Sequence, residues 1–228
     1  MRVMRFLFWL VCGVWPGALP ACDLALVLAV DVSGSVDAGE YRIQMGGLAA
    51  ALRDPIVSEA LVRGQSHVLL MQWSGESRQK TTVPWTAIHS FDALYALAAR
   101  IEQDPRVWRN YATAIGEALQ HGAAEIEAGP GCDRRLIDVS GDGKSNEGIA
   151  PKQVHAALRR ADIGVNAIAI EASEPDLTAY FFENVITGEG AFVDTAFNTV
   201  DVLLILDTDM ISERQRALYG KGLVRNAK

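Results

Sequence analysis

Leu24-Ala25-Leu26-Val27-Leu28-Ala29-Val30-Asp31-Val32-Ser33-Gly34-Ser35 joins an unbroken apolar run to a short loop of oxygen-bearing side chains. The apolar run from Leu24 to Val30 has no polar alternation, so it reads as a strand buried on both faces, the kind found in parallel sheets. A short polar loop follows it. Directly after the loop, Asp37-Ala38-Gly39-Glu40 has the Asp-x-x-Glu form of a helix capping box. The chain therefore runs strand, tight loop, helix. Asp31, Ser33 and Ser35 place one carboxylate and two hydroxyls at alternating loop positions. Hard oxygen donors of this kind suit Mg²⁺ or Mn²⁺. The competing reading is a capped turn in which the hydroxyls satisfy loop amides.

Outward from this segment, strands and helices alternate. Residues 24–31, 67–73, 135–140 and 164–170 read as strands, and 80–85 as an edge strand, because Pro84 cannot donate to a central ladder. Helices are expected at 38–52, 91–102, 113–127, 151–161 and 176–184, with a short strand at 191–193 and a last helix at 198–212. The first helix ends near Asp54-Pro55. This alternation predicts an α/β domain with a doubly wound, mainly parallel central sheet flanked by helices and joined by right-handed crossovers. Ligands of such sheets bind beyond the carboxyl ends of the strands, where strand order reverses. The Asp31 loop and the Gly141-Asp142-Gly143 loop both follow strand ends.

Half of the 228 residues are apolar, which excludes a disordered chain. Arg2 and Arg5 are the sole charged residues before Cys22, so the formal net charge of −7 becomes −9 without them. An acidic domain with no basic stripe excludes nucleic acid as a partner and electrostatic docking on anionic lipid. Arg2, Arg5 and the apolar stretch Phe6 to Val14 read as a secretory signal, with Leu19-Pro20-Ala21 before the cleavage point. The expected organisation is a signal over 1–21, one domain over 22–212 and a polar tail over 213–228. Localisation is then periplasmic or secreted, with no membrane insertion once the signal is removed. An uncleaved N-terminal anchor and a lipoprotein acylated at Cys22 are the alternatives.

Three separated segments together resemble the metal-ion-dependent adhesion site (MIDAS) of von Willebrand factor A-type (VWA) domains. Asp31-Val32-Ser33-Gly34-Ser35 matches the first, Thr113-Ala114-Ile115-Gly116-Glu117-Ala118-Leu119 the second, and Ser140-Gly141-Asp142-Gly143 the third. The last departs from the family pattern in having Gly141 between the serine and the acid. With Trp73-Ser74-Gly75 and Val83-Pro84-Trp85, the whole pattern is similar to a bacterial family of exported VWA-like proteins, DUF1194. The resemblance implies Mg²⁺ or Mn²⁺ held by Ser33, Ser35 and Thr113, with Asp31 and Asp142 acting mainly through waters. One position is then left for an acidic residue of a partner protein. Such a chain is a binding module and not an enzyme. A Mg²⁺-dependent hydrolase and a metal-free scaffold are the competing readings.

The same frame pairs the two cysteines outside the signal. Cys22 lies nine residues before Asp31, and Cys132 ten before Asp142. If these acids end neighbouring parallel strands, the cysteines begin them and face each other within disulfide reach. Trp73, Trp85 and Trp108 read as packing residues more readily than as a recognition surface. The four histidines show no ligand spacing. Glu171 reads as a solvated loop acid, and Asp138 carries no assigned role.

Overall fold

The computed structural model describes residues 22–171 and 174–196. Its elements run β1 (Leu24–Asp31), α1 (Ala38–Arg53), α2 (Pro55–Arg63), β2 (His67–Trp73), β3 (Gln79–Ala87), α3 (Phe91–Glu102), α4 (Ile115–Ala128), β4 (Arg134–Gly141), α5 (Pro151–Arg160), β5 (Gly164–Ile170), α6 (Leu177–Asn184) and β6 (Val193–Ala196). One six-stranded sheet has the order β3-β2-β1-β4-β5-β6. Every pairing is parallel except β2 with β3. From β1 the chain first builds outward through β2 and β3, then crosses to β4 on the other side. The order reverses at β1, so its carboxyl end and that of β4 flank the switch point.

The apolar run of β1 is continuous because both of its faces are covered. Leu26, Leu28 and Val30 enter one core cluster with Tyr41, Met45 and Leu52 of α1 and Leu94, Leu97 and Ile101 of α3. Val27 and Ala29 enter the other with Ile115, Ala118 and Leu119 of α4 and Phe181 of α6. Each large aliphatic side chain buried this way contributes about 1.5–3 kcal/mol of transfer free energy. Together the two clusters hold the β1 carboxyl end rigid from both sides.

The expected fold and most element positions match the structure. Helix α2 is the main omission. Asp54-Pro55 reads as a stop, and it is also a start. Asp54 Oδ1 accepts from the amides of Ile56 and Val57, and Pro55 takes the first helical position, where no amide is needed. Helix α4 begins at Ile115 and not at Thr113, which leaves Thr113 in the loop, and the last strand lies at 193–196 and not at 191–193. Strand β3 is the antiparallel edge, its register shifted twice against β2, with Pro84 exposed to solvent. The expected signal, last helix and tail lie outside the described residues. Among the described residues, no helix is long and apolar enough to cross a membrane.

At the amino ends of the strands, Leu24 of β1 stands opposite Arg134 of β4. That register brings the preceding cysteines together, and Cys22 and Cys132 form a disulfide with Cα atoms 4.6 Å apart.

Candidate metal centre

Asp31, the last residue of β1, is fully buried. Its Oδ1 accepts from the Ser33 amide at 2.7 Å, which folds the loop back over the strand end. Its Oδ2 is buried and, among the described residues, makes no hydrogen bond of good geometry, while the Ser33 hydroxyl and the Asp142 amide stand near the carboxylate. Ser33 Oγ and Ser35 Oγ lie 3.2 Å apart, and Ser35 Oγ donates to Asp142 Oδ1 at 2.6 Å. The loop after β1 and the loop after β4 thus meet through a chain of hydroxyls that ends on a carboxylate.

Two glycines permit this approach. A Cβ on Gly141 would stand 3.1 Å from Asp31 Oδ2, and one on Gly34 would stand 3.3 Å from Asn110 Cα and from the Tyr111 carbonyl oxygen. Gly141 is therefore the departure in the third segment and also a fitted part of the site, since its missing side chain makes room for Asp31. The loop is pinned from outside. Gly34 N donates to Tyr111 O and Val32 N to Trp73 O. The Arg106 guanidinium donates to the carbonyls of Val32 and Ser33 at 3.0 and 2.8 Å.

Thr113 is almost wholly buried, and Asn146 holds it from both sides. Its amide donates to Asn146 Oδ1 at 2.9 Å, and its carbonyl accepts from the Asn146 amide at 2.9 Å. Its Oγ1 faces the loop after β4, 3.7 Å from where a Gly143 Cβ would lie. Asp31, Ser33, Ser35 and Asp142 are thus linked directly, and Thr113 borders them across Gly143. Arg106 and Asn146 are the organising residues that the sequence does not single out. Neither lies in a motif, and each acts through backbone atoms of a distant segment.

The electrostatics of the cluster favour a cation. Burial, then the negative charge of Asp142, raises the Asp31 pKa to about 7. Burial raises that of Asp142 as well, against the lowering effect of the Ser35 hydroxyl. A buried carboxylate oxygen beside a second carboxylate and three hydroxyl side chains fits a hard divalent ion.

Other candidates fall into place as structure. Trp73 is fully buried in the core beneath the site, and Trp85 and Trp108 are partly buried against the core clusters. Glu171 Oε1 accepts from the Thr178 amide in the first turn of α6, so it caps a helix. Asp138 lines a small cavity of about 20 Å³ together with Gln44, Ser140 and Asn166. There it accepts from Asn166 Nδ2 at 3.0 Å. Burial raises its pKa to about 6. A carboxyl that is easier to protonate in the fold than in the unfolded chain stabilises most below about pH 4 and loses that contribution as pH rises through about 6. Asp138→Asn should therefore flatten the decline in thermal stability over that window, by on the order of 1 kcal/mol, because the residue is only half-buried by its surface area and solvent screens part of the effect. Parallel pH profiles of melting temperature for the variant and the wild type would contradict this.

A six-stranded sheet with one antiparallel edge, helices on both faces and an Asp–Ser–Ser loop meeting a second acid at the switch point give the chain the fold of VWA-type domains. Within it, the chain belongs to the family described as "Protein of unknown function (DUF1194)", whose model matches residues 21–211. Among solved structures it is similar to proximal thread matrix protein 1 of the mussel byssus, with a TM-score of 0.65 and 18% identity over 84% of this chain and 48% of that one. A second structure of the mussel protein, described with a zinc-occupied MIDAS motif, has a TM-score of 0.60 and 14% identity over 85% and 46%. The pilus adhesin SpaC of Lactobacillus rhamnosus GG has a TM-score of 0.61 and 14% identity over 84% of this chain and 30% of that one. At these identities the likeness is one of fold. The chain spans about half of the mussel protein and under a third of the adhesin. Over 51 residues, 22% of this chain and 20% of the other, it is 45% identical to an L-ornithine N(alpha)-acyltransferase of Rhodobacter capsulatus.

Proposed function

We propose that this chain is an exported, divalent-metal-dependent protein-binding module. Ser33, Ser35 and Thr113 would hold Mg²⁺ or Mn²⁺ directly, and Asp31 and Asp142 would anchor its waters. The ion would supply electrophilic attraction for an acidic residue of a partner protein, in the periplasm or outside the cell. The observation that carries this reading is the buried Asp31 carboxylate, whose Oδ2 makes no hydrogen bond of good geometry among the described residues, placed near Asp142 and the serine hydroxyls. The zinc-occupied motif in the mussel protein and the adhesin of similar fold support the same class of function.

The test is calorimetric titration of Mg²⁺ and Mn²⁺ into the mature, chelator-stripped protein. The expected result is one saturable site, weakened about tenfold or more in Thr113→Ala. An absence of binding heat in the wild type, with equal thermal stability in Mg²⁺ and in chelator, would overturn it and leave a metal-free scaffold.

A further inference from the structure

A second cluster of metal-binding side chains stands at the opposite edge of the sheet. Among the described residues, one ligand atom each of Cys22, His67 and Cys132 lie within 4.8 Å of one another. The strand register builds this cluster. His67 opens β2 opposite Ala25 of β1, while Leu24 of β1 stands opposite Arg134 of β4. The two cysteines immediately precede β1 and β4, so β1 carries Cys22 between the other two. Asp31 lies at the far end of the same strand, roughly 25 Å away at the usual strand rise.

We propose that Cys22, Cys132 and His67 form a redox-gated thiolate–imidazole site for Zn²⁺, in which the disulfide and the metal are alternative occupants of the same sulfurs. The donor set is two sulfurs and one nitrogen, which selects zinc and similar borderline-soft ions, whereas the all-oxygen cluster at Asp31 selects hard ones. The spacing is already close to what the metal requires. Cys132 Sγ lies 3.9 Å from His67 Nδ1. Tetrahedral zinc, with bonds of about 2.3 Å to sulfur and about 2.0–2.1 Å to nitrogen, sets such ligands about 3.6 Å apart. The two sulfurs must separate to about 3.8 Å on the same geometry, a movement that side-chain rotation supplies across Cα atoms 4.6 Å apart. Both cysteines are buried, and His67 is only partly so, which leaves solvent a route to the fourth position. Burial and the neighbouring His89 ring lower the His67 pKa, so its imidazole is neutral and carries a free lone pair near pH 7.

A dithiol reductant attacks the protein disulfide, transfers two electrons and leaves as its own cyclic disulfide, with two cysteine thiols formed. Zn²⁺ then replaces the two thiol protons, which pass to solvent. Reoxidation by a disulfide oxidant, which takes up two electrons and two protons to become a dithiol, requires the metal to leave, so zinc guards the reduced state.

The test uses the full mature chain reduced with a phosphine, which becomes the phosphine oxide and does not compete for metal. Co²⁺ is the probe, because its thiolate charge-transfer band reports sulfur ligation and is blind to the oxygen cluster. We expect one Co²⁺ per reduced chain with that band, displaced by Zn²⁺, and no band in the oxidised chain. His67→Ala should weaken binding by at least about tenfold. A reduced wild type without the band, or a His67→Ala variant with unchanged affinity, would overturn the proposal. If reduction loosens the fold, the rate of disulfide re-formation serves instead. Zn²⁺ should slow it at least about tenfold in the wild type and much less in His67→Ala, and equal slowing in both would be contrary.

Discussion

Asp31→Asn is expected to lose Mg²⁺ and Mn²⁺ binding by about a hundredfold or more while keeping the fold. The carboxylate supplies negative charge from a buried strand end, and its Oδ2 is the atom an ion or its water would engage. The amide is nearly isosteric and can still accept from the Ser33 amide through its oxygen. It also removes a buried charge that Asp142 opposes, so the metal-free variant should be at least as stable as the metal-free wild type. A saturating ion at about a hundred times its dissociation constant adds about 2.7 kcal/mol to the wild type, or roughly 5–10 °C in melting temperature for a domain of this size. Thermal melts with Mg²⁺ and with chelator should therefore differ for the wild type and coincide for Asp31→Asn. Wild-type affinity in the variant would remove Asp31 from the site. Lost affinity together with a destabilised metal-free fold would make its role structural.

The second large effect lies at the other end of β1. The Cys22–Cys132 disulfide closes a loop with a sequence separation of 110 residues. In the chain-entropy account a closure of that length contributes about 4.7 kcal/mol by restricting the unfolded chain. The double variant Cys22→Ser, Cys132→Ser should then melt roughly 9–19 °C lower than the oxidised wild type. The comparison belongs in chelator, so that metal at the Asp31 loop adds stability to neither protein. A difference under about 1 kcal/mol would show that the register of β1 and β4, and not the covalent link, holds this edge together.

Much of this was legible because it is local. The apolar run of β1 fixes a strand covered on both faces. Asp37 accepts from the amides of Gly39 and Glu40 while Glu40 accepts from the Asp37 amide, so the start of α1 is written in four residues. The cysteine pairing followed from similar offsets, nine and ten residues, to two acids at strand ends. Helix α2 was hidden because one dipeptide, Asp54-Pro55, carries a stop and a start at once. Arg106 and Asn146 were hidden because they act on backbone atoms far away in sequence, and neither a spacing nor a residue type announces that.

The strand–loop–helix unit, the hard-oxygen chemistry of Asp31, Ser33 and Ser35, and the alternation behind a doubly wound sheet are all local. Those features rest on hydrogen bonds and apolar periodicities spanning a few residues. Folding of the whole chain is what brings Asp142 to Ser35 across 107 positions, lets Gly141 make room for the Asp31 carboxylate, and sets His67 beside the two cysteines. Each depends on the register between neighbouring strands. That register is set by core packing over the whole sheet, so no single segment contains it.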